Sequence, residues 1–414
     1  ITSADGDQNN FVNAGDNVSV TATFSEAVIV NTDNGTPIIT LAVGSDNRTA
    51  TYTSGDNSTA LVFRYTIQSG DNDTNGISIG ANALDDNSST IRDAAGNDAT
   101  LTHSAVDNNS SYKVDTTAPS VDNFTMNDTE LKIGDNATVT LVFSEAVILF
   151  NSDDDITADN GTLSTMTSTD NITWTGYFIP TDDIEDNSSR LSLGTSYTNI
   201  AGNSGPDNQT ANYEIDTLAP TVSSVEITDA DGDQNSFVNV GDNVSVTATF
   251  SELVNVNTDN GTPTLTLAVG STNQTASYTS GTGSTDLVFR YTIQSGDNDT
   301  NGISIRENVL ALNSGTIRDA ALNNAILTHD AVPDNSDYKV DNTPPTVSSV
   351  AITSAEGIQN NFLNEGDNVS VTATFSEVVN VNTDNGTPII TLVVGSDNRT
   401  AVYASGDNST ALVF

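Results

Sequence analysis

The sequence predicts an all-β chain, a tandem array of four β-sandwich domains. A ten-residue segment, Asn17-Val-Ser-Val-Thr-Ala-Thr-Phe-Ser-Glu26, returns at 243–252 and 368–377, with a divergent form at 136–145. Self-similarity on this scale marks an array of like modules. Within the segment Val18, Val20, Ala22 and Phe24 alternate with Ser19, Thr21, Thr23 and Ser25, the period of a half-buried strand. No stretch carries the apolar stripe of an amphipathic helix.

The linkers set the domain boundaries. Val114-Asp-Thr-Thr-Ala-Pro119, Ile215-Asp-Thr-Leu-Ala-Pro220 and Val340-Asp-Asn-Thr-Pro-Pro345 end in prolines spaced 101 and 125 residues apart. Those are lengths of small domains, and proline after a polar run suits a stiff, non-helical boundary. The repeats are therefore read as 1–119, 120–220, 221–345 and 346–414, the second a shorter sister type. The first aligns with the third at an offset of 226 residues and the third with the fourth at 125. In that register Ile1 matches Ile227 and Phe414 matches Phe289, so the first repeat is expected to lack an opening strand and the fourth its C-terminal part. The sequence reads as a window on a longer repetitive protein.

Composition excludes several functions. Acidic residues number 55 against 11 basic ones, for a formal charge of −44. No basic stripe is present to neutralise phosphate, so nucleic-acid binding is not expected, nor binding to an anionic membrane surface or membrane insertion. The charge favours solubility and attracts cations. Acidic, Asn/Ser-rich sequence raises disorder as an alternative. The alternation of Leu61, Phe63, Tyr65 and Ile67 with Arg64, Thr66 and Gln68 argues for folded strands instead. Cysteine is absent, so stability rests on core packing, bound ions or chain-to-chain contact.

In the third repeat strand-like runs fall at 221–228, 243–250, 263–269, 276–279, 287–294, 302–305, 325–328 and 338–341, separated by Gly/Asn/Asp turns. Short strands at this spacing predict a sandwich of about seven strands. Trp174, in Ile172-Thr-Trp-Thr-Gly-Tyr-Phe178, is expected in the core of the second repeat.

Gly35-Thr-Pro-Ile-Ile-Thr-Leu41, Thr51-Tyr-Thr-Ser-Gly55, Phe63-Arg-Tyr-Thr-Ile-Gln-Ser-Gly-Asp71 and Gly315-Thr-Ile-Arg-Asp-Ala-Ala321 resemble bacterial immunoglobulin-like repeats of large surface proteins. The type is that of the cyanobacterial swimming-motility surface protein and marine giant adhesins. The second repeat, with Val142-Phe-Ser-Glu-Ala-Val147 and Asn199-Ile-Ala-Gly-Asn203, resembles a related Ig-like subtype. The resemblance covers essentially the whole chain. It implies four Ig-like sandwiches at the cell surface, in a structural or adhesive role.

Two candidate sites for a hard cation stand out. The first is the acidic loop Asp229-Ala-Asp-Gly-Asp-Gln-Asn235, leading to Asp242. Carboxylates at alternate positions around a glycine present oxygens as Ca²⁺ requires. Asp229, Asp231, Asp233, Asn235 and Asp242 are the candidate ligands, with Asp5, Asp7, Asn9 and Asp16 in the first repeat. The glycine comes early and no glutamate closes a twelve-residue loop, so this is not an EF-hand. Glu356 and Ile358 replace two of the acids in the fourth repeat and are expected to weaken binding. The alternative is a solvated acidic turn. The second candidate is the linker aspartate, Asp115, Asp216 or Asp341, joined by loop acids such as Glu26 or Asp93. The alternative there is a turn-capping Asp that satisfies its own backbone.

Asparagine is in excess: 23 positions fit Asn-X-Ser/Thr, among them Asn17, Asn47, Asn57, Asn72, Asn171 and Asn273. Covalent N-glycans are one reading, turn preference the other. Catalysis is not expected. His103 and His329 share one repeat position, as do Arg64 and Arg290, Arg92 and Arg318, and Lys113 and Lys339, so they belong to the module; the cations are expected to pair with local acids or cover apolar surface. No serine lies in a nucleophile-elbow context. The expected function is a segment of an extracellular filament, surface layer or fibre, partnered by copies of itself and by divalent cations. A calcium-dependent adhesin stalk with its ligand-binding tip outside this segment is the alternative. A carbohydrate-binding array would want exposed aromatic platforms, and aromatics are only 6% of residues.

Overall fold

The computed structural model describes residues 1–414. Regular structure is almost entirely strand; the one helix is the turn Ser152–Asp155, capped by Asn151. Contacts divide the chain into two compact units. One is Ile1–Pro220 with Arg318–Ala325, the other Thr221–Ile317 with Ile326–Phe414. They form tandem Ig-like β-sandwiches.

In the first unit, the first repeat builds a sheet in the order Ser3–Asp5, Asn17–Asn31, Ser58–Thr66, Asp46–Ser54, Ile38–Val43, Ser78–Asp85. The facing layer holds Phe11–Val12, Lys113–Asp115 and Asn72–Asp73. The predicted alternation fills the core: Val18, Val20, Leu61, Phe63 and Ile67 are buried with Ile39, Leu41 and Val43. Strand Asn17–Asn31 serves two partners. Its register against Ser58–Thr66 shifts between Thr23 and Val28, and residues 29–31 then pair with Thr90–Arg92. Glu26 sits in that bend.

The second repeat has a separate core, centred on Phe143, Phe178, Tyr197 and Tyr213. Its strands order as Val121–Met126, Ala137–Phe143, Thr173–Pro180, Gly161–Leu163, with Glu130–Lys132, Tyr213–Asp216 and Glu185–Ser189 in another sheet. Trp174 packs edge-on against Phe150 at 4.8 Å between ring centroids, a core role as expected.

The second unit repeats the first pattern with Val222–Asp231, Asn243–Asn257, Ser284–Thr292, Thr272–Ser280, Thr264–Val269 and Leu310–Ala311. The runs predicted at 302–305 and 325–328 make only single bridges, Ala268 to Ser304, Ile305 to Val332 and Thr221 to Ile326. They are too short, and too broken by polar turns, to form ladders. The fourth repeat contributes a three-stranded sheet of Val347–Ala355, Val369–Val379 and Ser409–Val413, and a hairpin of Ile389–Val394 with Asp397–Val402.

Equivalent residues differ in burial between copies. Ala248 and Phe250 are buried beneath residues 222–226, which pair with them and their neighbours. Ala22 and Phe24, at the same register positions, are only half-buried. They line a cavity of about 630 Å³ together with Leu101 and Val106. With Phe250 only 2% exposed, Phe250→Ala is expected to cost about 3–5 kcal/mol. Amide hydrogen exchange of strand Asn243–Asn257 reads this copy; unchanged protection there would overturn the expectation.

Candidate functional site

Each linker aspartate is delivered by the same construction. Lys113–Asp115 runs parallel to Phe11–Val12, Tyr213–Asp216 to Glu130–Lys132, and Lys339–Val340 to Phe237–Val238. The residue after each aspartate then pins the linker to the preceding repeat. Thr116 Oγ1 donates to Asp71 O (2.9 Å), Thr217 Oγ1 to Thr181 O (2.7 Å) and Asn342 Nδ2 to Asp297 O (2.9 Å). One carboxylate oxygen of each aspartate accepts the amide two residues on: Thr117 N at 2.9 Å, Leu218 N at 3.3 Å and Thr343 N at 2.9 Å. The turn-capping role is thus present at all three. It leaves each second oxygen available for other partners.

At the first linker those partners belong to the loop 199–203. Asn199 Nδ2 lies 3.0 Å from Asp115 Oδ2, 3.0 Å from Thr117 O and 3.4 Å from Glu145 Oε1. Asn203 Nδ2 donates to Asp115 O at 2.8 Å. From the first repeat, Asn9 Nδ2 donates to Ile200 O (3.0 Å) and Asn13 Nδ2 to Ala201 O (2.9 Å). Five side-chain amide contacts of this kind lock two repeats together without an ion pair. Burial, and then the neighbouring Asp115, push the Glu145 carboxyl above its usual range, against the Asn199 hydrogen bond that lowers it.

The loop 319–323 stands in the same register and belongs to the first compact unit. Asn323 Nδ2 donates to Asp216 O at 2.8 Å, and Asn323 Oδ1 accepts from Ile133 N at 2.9 Å. Here the loop's first residue is Asp319, fully buried, with a carboxylate oxygen within 4.8 Å of one from Asp216. Burial and then Asp319 raise the Asp216 carboxyl. In the second unit, Glu377 is likewise raised by burial and then by Asp341. Glu26, Glu145, Glu252 and Glu377 share one register position after Phe-Ser.

The acidic loops are organised differently. Asn9 and Asn10 (φ 54° and 67°), and Asn235 and Ser236 (φ 54° and 66°), are the central pair of a two-residue hairpin turn, the I′ geometry that favours Asn. Gln8 and Phe11 exchange both backbone bonds at 2.8 Å, as do Gln234 and Phe237 at 2.8 and 3.0 Å. Asp16 Oδ2 accepts from Asn13 N (2.8 Å) and Asp242 Oδ2 from Asn239 N (2.7 Å). Gly6 and Gly232, at φ 99° and 93°, leave room for those two carboxylates. Asp5 pairs with Arg64 at 3.4 Å and Asp231 with Arg290 at 3.7 Å. Asp7, Asp229 and Asp233 are exposed. No three carboxylates within either loop offer oxygens inside 4.8 Å of one another.

Among the named sequons, Asn47, Asn57, Asn72, Asn171 and Asn273 are exposed, and Asn17 is half-buried, its Oδ1 accepting from Thr66 Oγ1 at 2.7 Å. Asn57 and Asn171 have φ 59°, so turn geometry accounts for asparagine at those two. Lys113 lies over Phe11 and Lys339 over Phe237, at 5.2 and 5.5 Å from the ring centroids. Each covers an aromatic ring at the root of its linker strand.

Asn199, Asn203, Asp319, Asn323, Glu145 and Glu377 were not singled out by the sequence as site residues. Their signal is positional: the Asp/Asn-x-x-x-Asn loop recurs at 93–97, 199–203 and 319–323.

The family model described as Bacterial Ig-like domain matches residues 115–215. No curated protein matches the sequence. Among solved structures, the chain is similar to the Plexin A4 full extracellular region at 8% identity, with a TM-score of 0.19 over 97% of this chain and 33% of that one. A second Plexin A4 extracellular structure aligns at 8% identity and a TM-score of 0.20, over 76% of this chain and 33% of that one. The N-terminal eight Ig domains of Down Syndrome Cell Adhesion Molecule align at 8% identity and a TM-score of 0.16, over 97% of this chain and 54% of that one. The chain thus spans about a third of the length of the Plexin chains and about half of the latter.

Proposed function

We propose that this chain is a load-bearing segment of an extracellular filament, surface layer or fibre, assembled from Ig-like modules and partnered by further copies of itself. The observation that supports this most is the reuse of chemistry-bearing residues as architecture. The linker aspartate, the Asp/Asn-x-x-x-Asn loop and the Phe-Ser-Glu bend recur at fixed register, and at the first linker the three meet. A catalyst needs one special constellation; a fibre needs a joint that repeats. Electron microscopy of native material tests the reading: regular filaments or a lattice are expected. Isolated flexible strings would favour an adhesin stalk, and glycan capture in an array screen a lectin. If the exposed sequons carry glycans, the intact mass of native material exceeds that of the polypeptide.

The raised carboxyls at the linkers are the specific support for a cation-dependent stalk or fibre. Asp216 and Asp319 are the residues that would hold Ca²⁺ in the first unit, and Asp341 with Glu377 in the second. An acid whose folded pKa is raised binds its proton more tightly when folded. Its unfavourable contribution is therefore absent below the ordinary carboxylate pKa, grows as pH rises from there to the raised value, and is fully present above it. The joints are expected to loosen across that window in chelator, and calcium to restore them at neutral pH by mass action. Asp319→Asn should blunt both the pH and the calcium response of thermal unfolding. An unchanged calcium response in that variant would remove Asp216 and Asp319 as ligands.

A further inference from the structure

Asn199 is completely buried, and its two ends have separate tasks. Oδ1 accepts the amides of Ala201 (3.1 Å) and Asn203 (3.0 Å), closing its own loop. The same closure is made by Asp93, whose Oδ1 accepts from Ala95 and Asn97 at 2.8 Å each, and by Asp319, which accepts from Asn323 N at 2.7 Å. That half of the side chain is constant across the three loops.

The other half changes sign. In Asp93 and Asp319 it is a carboxylate oxygen, accepting from the amides of Asn97 (2.7 Å) and Asn323 (2.9 Å). In Asn199 it is an NH₂ group, directed at Asp115 Oδ2, Thr117 O and Glu145 Oε1. Three oxygens, two of them from carboxylates, surround a small centre of positive partial charge. These are oxygens of the kind a hard cation binds, and here they converge on a donor that is part of the chain.

We propose that the Asn199 amide takes the place of a cation in the first joint, so that this joint holds without divalent ions, and that Asn or Asp at this register position sets whether a joint needs one. The inference rests on reading the chain as a mechanical array. It goes beyond that reading by making adjacent joints differ in ion dependence. Asparagine and aspartate are nearly isosteric, so Asn199→Asp keeps the Oδ1 contacts. It replaces the donor with a third negative oxygen beside Asp115 and Glu145.

The chain has no cysteine, so a pair of spin labels can be placed at will. Thr49→Cys in the first repeat and Thr169→Cys in the second put labels at exposed positions on either side of this joint. Distance distributions of the full chain are then measured in chelator and in calcium. The unsubstituted joint is expected to give one narrow distribution in both. Asn199→Asp should broaden it in chelator and recover the narrow one with calcium, while Asn199→Ala should stay broad in both. A joint that broadens on chelation with Asn199 intact would overturn the proposal. So would an Asn199→Asp joint that stays narrow in chelator, or one that calcium does not restore. Because the readout is one distance across one joint, it can fail while filament images still support the array, and the reverse.

Discussion

In strand Asn17–Asn31 the alternation that buries Val18 and Val20 holds one register as far as Thr23, then slips, and the strand resumes beside a different partner from Ile29. The same slip falls between Thr249 and Val254, and between Thr374 and Val379. A strand that changes partner must turn one or two residues away from both ladders. Here four residues, Phe-Ser-Glu and the one after, leave the ladder with the first partner, the glutamate among them. The core alternation and the position of the joint glutamate are thus consequences of one backbone feature. A one-residue change of register would move both.

A second constraint is electrostatic. With a formal charge of −44, modules in tandem bring carboxylates together wherever linkers are short. Two unit charges 4 Å apart at an effective dielectric of 20 interact by about 4 kcal/mol. That exceeds the net worth of a typical hydrogen bond, about 1 kcal/mol. No reasonable number of neutral contacts offsets several such pairs. A proton, a cation or a fixed donor has to stand between them. Burial first, and then a neighbouring acid, raises the carboxyls of Glu145, Asp216 and Glu377.

The sandwich was legible in the sequence because its cause is local: Leu61, Phe63, Tyr65 and Ile67 alternate within a few residues, and the pattern recurs downstream. The short runs at 302–305 and 325–328 were overread, since β-branched composition alone does not guarantee a ladder partner. The acidic loop was legible as a special segment, but its spacing allowed two chemistries. In the structure Asn9 and Asn235 lie in hairpin turns, while Asp16 and Asp242 accept from the amides of Asn13 and Asn239 in the next turn. The joint was legible only in outline. The linker aspartates stand out, but Asp115, Glu145 and Asn199 come from segments 84 and 54 residues apart at the two Asn199 contacts. No local pattern joins them; only the register between copies does.

That register also separates what is constant from what is tuned. Oδ1 of Asp93, Asn199 and Asp319 closes the same loop in each copy, so either residue type folds there and selection for folding cannot choose between them. The remaining atom differs: in Asn199 it donates to the linker Asp115, whereas in Asp93 and Asp319 it accepts from the asparagine that ends the loop. A substitution invisible to the fold but decisive for the joint is where an array can vary its mechanics from one module to the next.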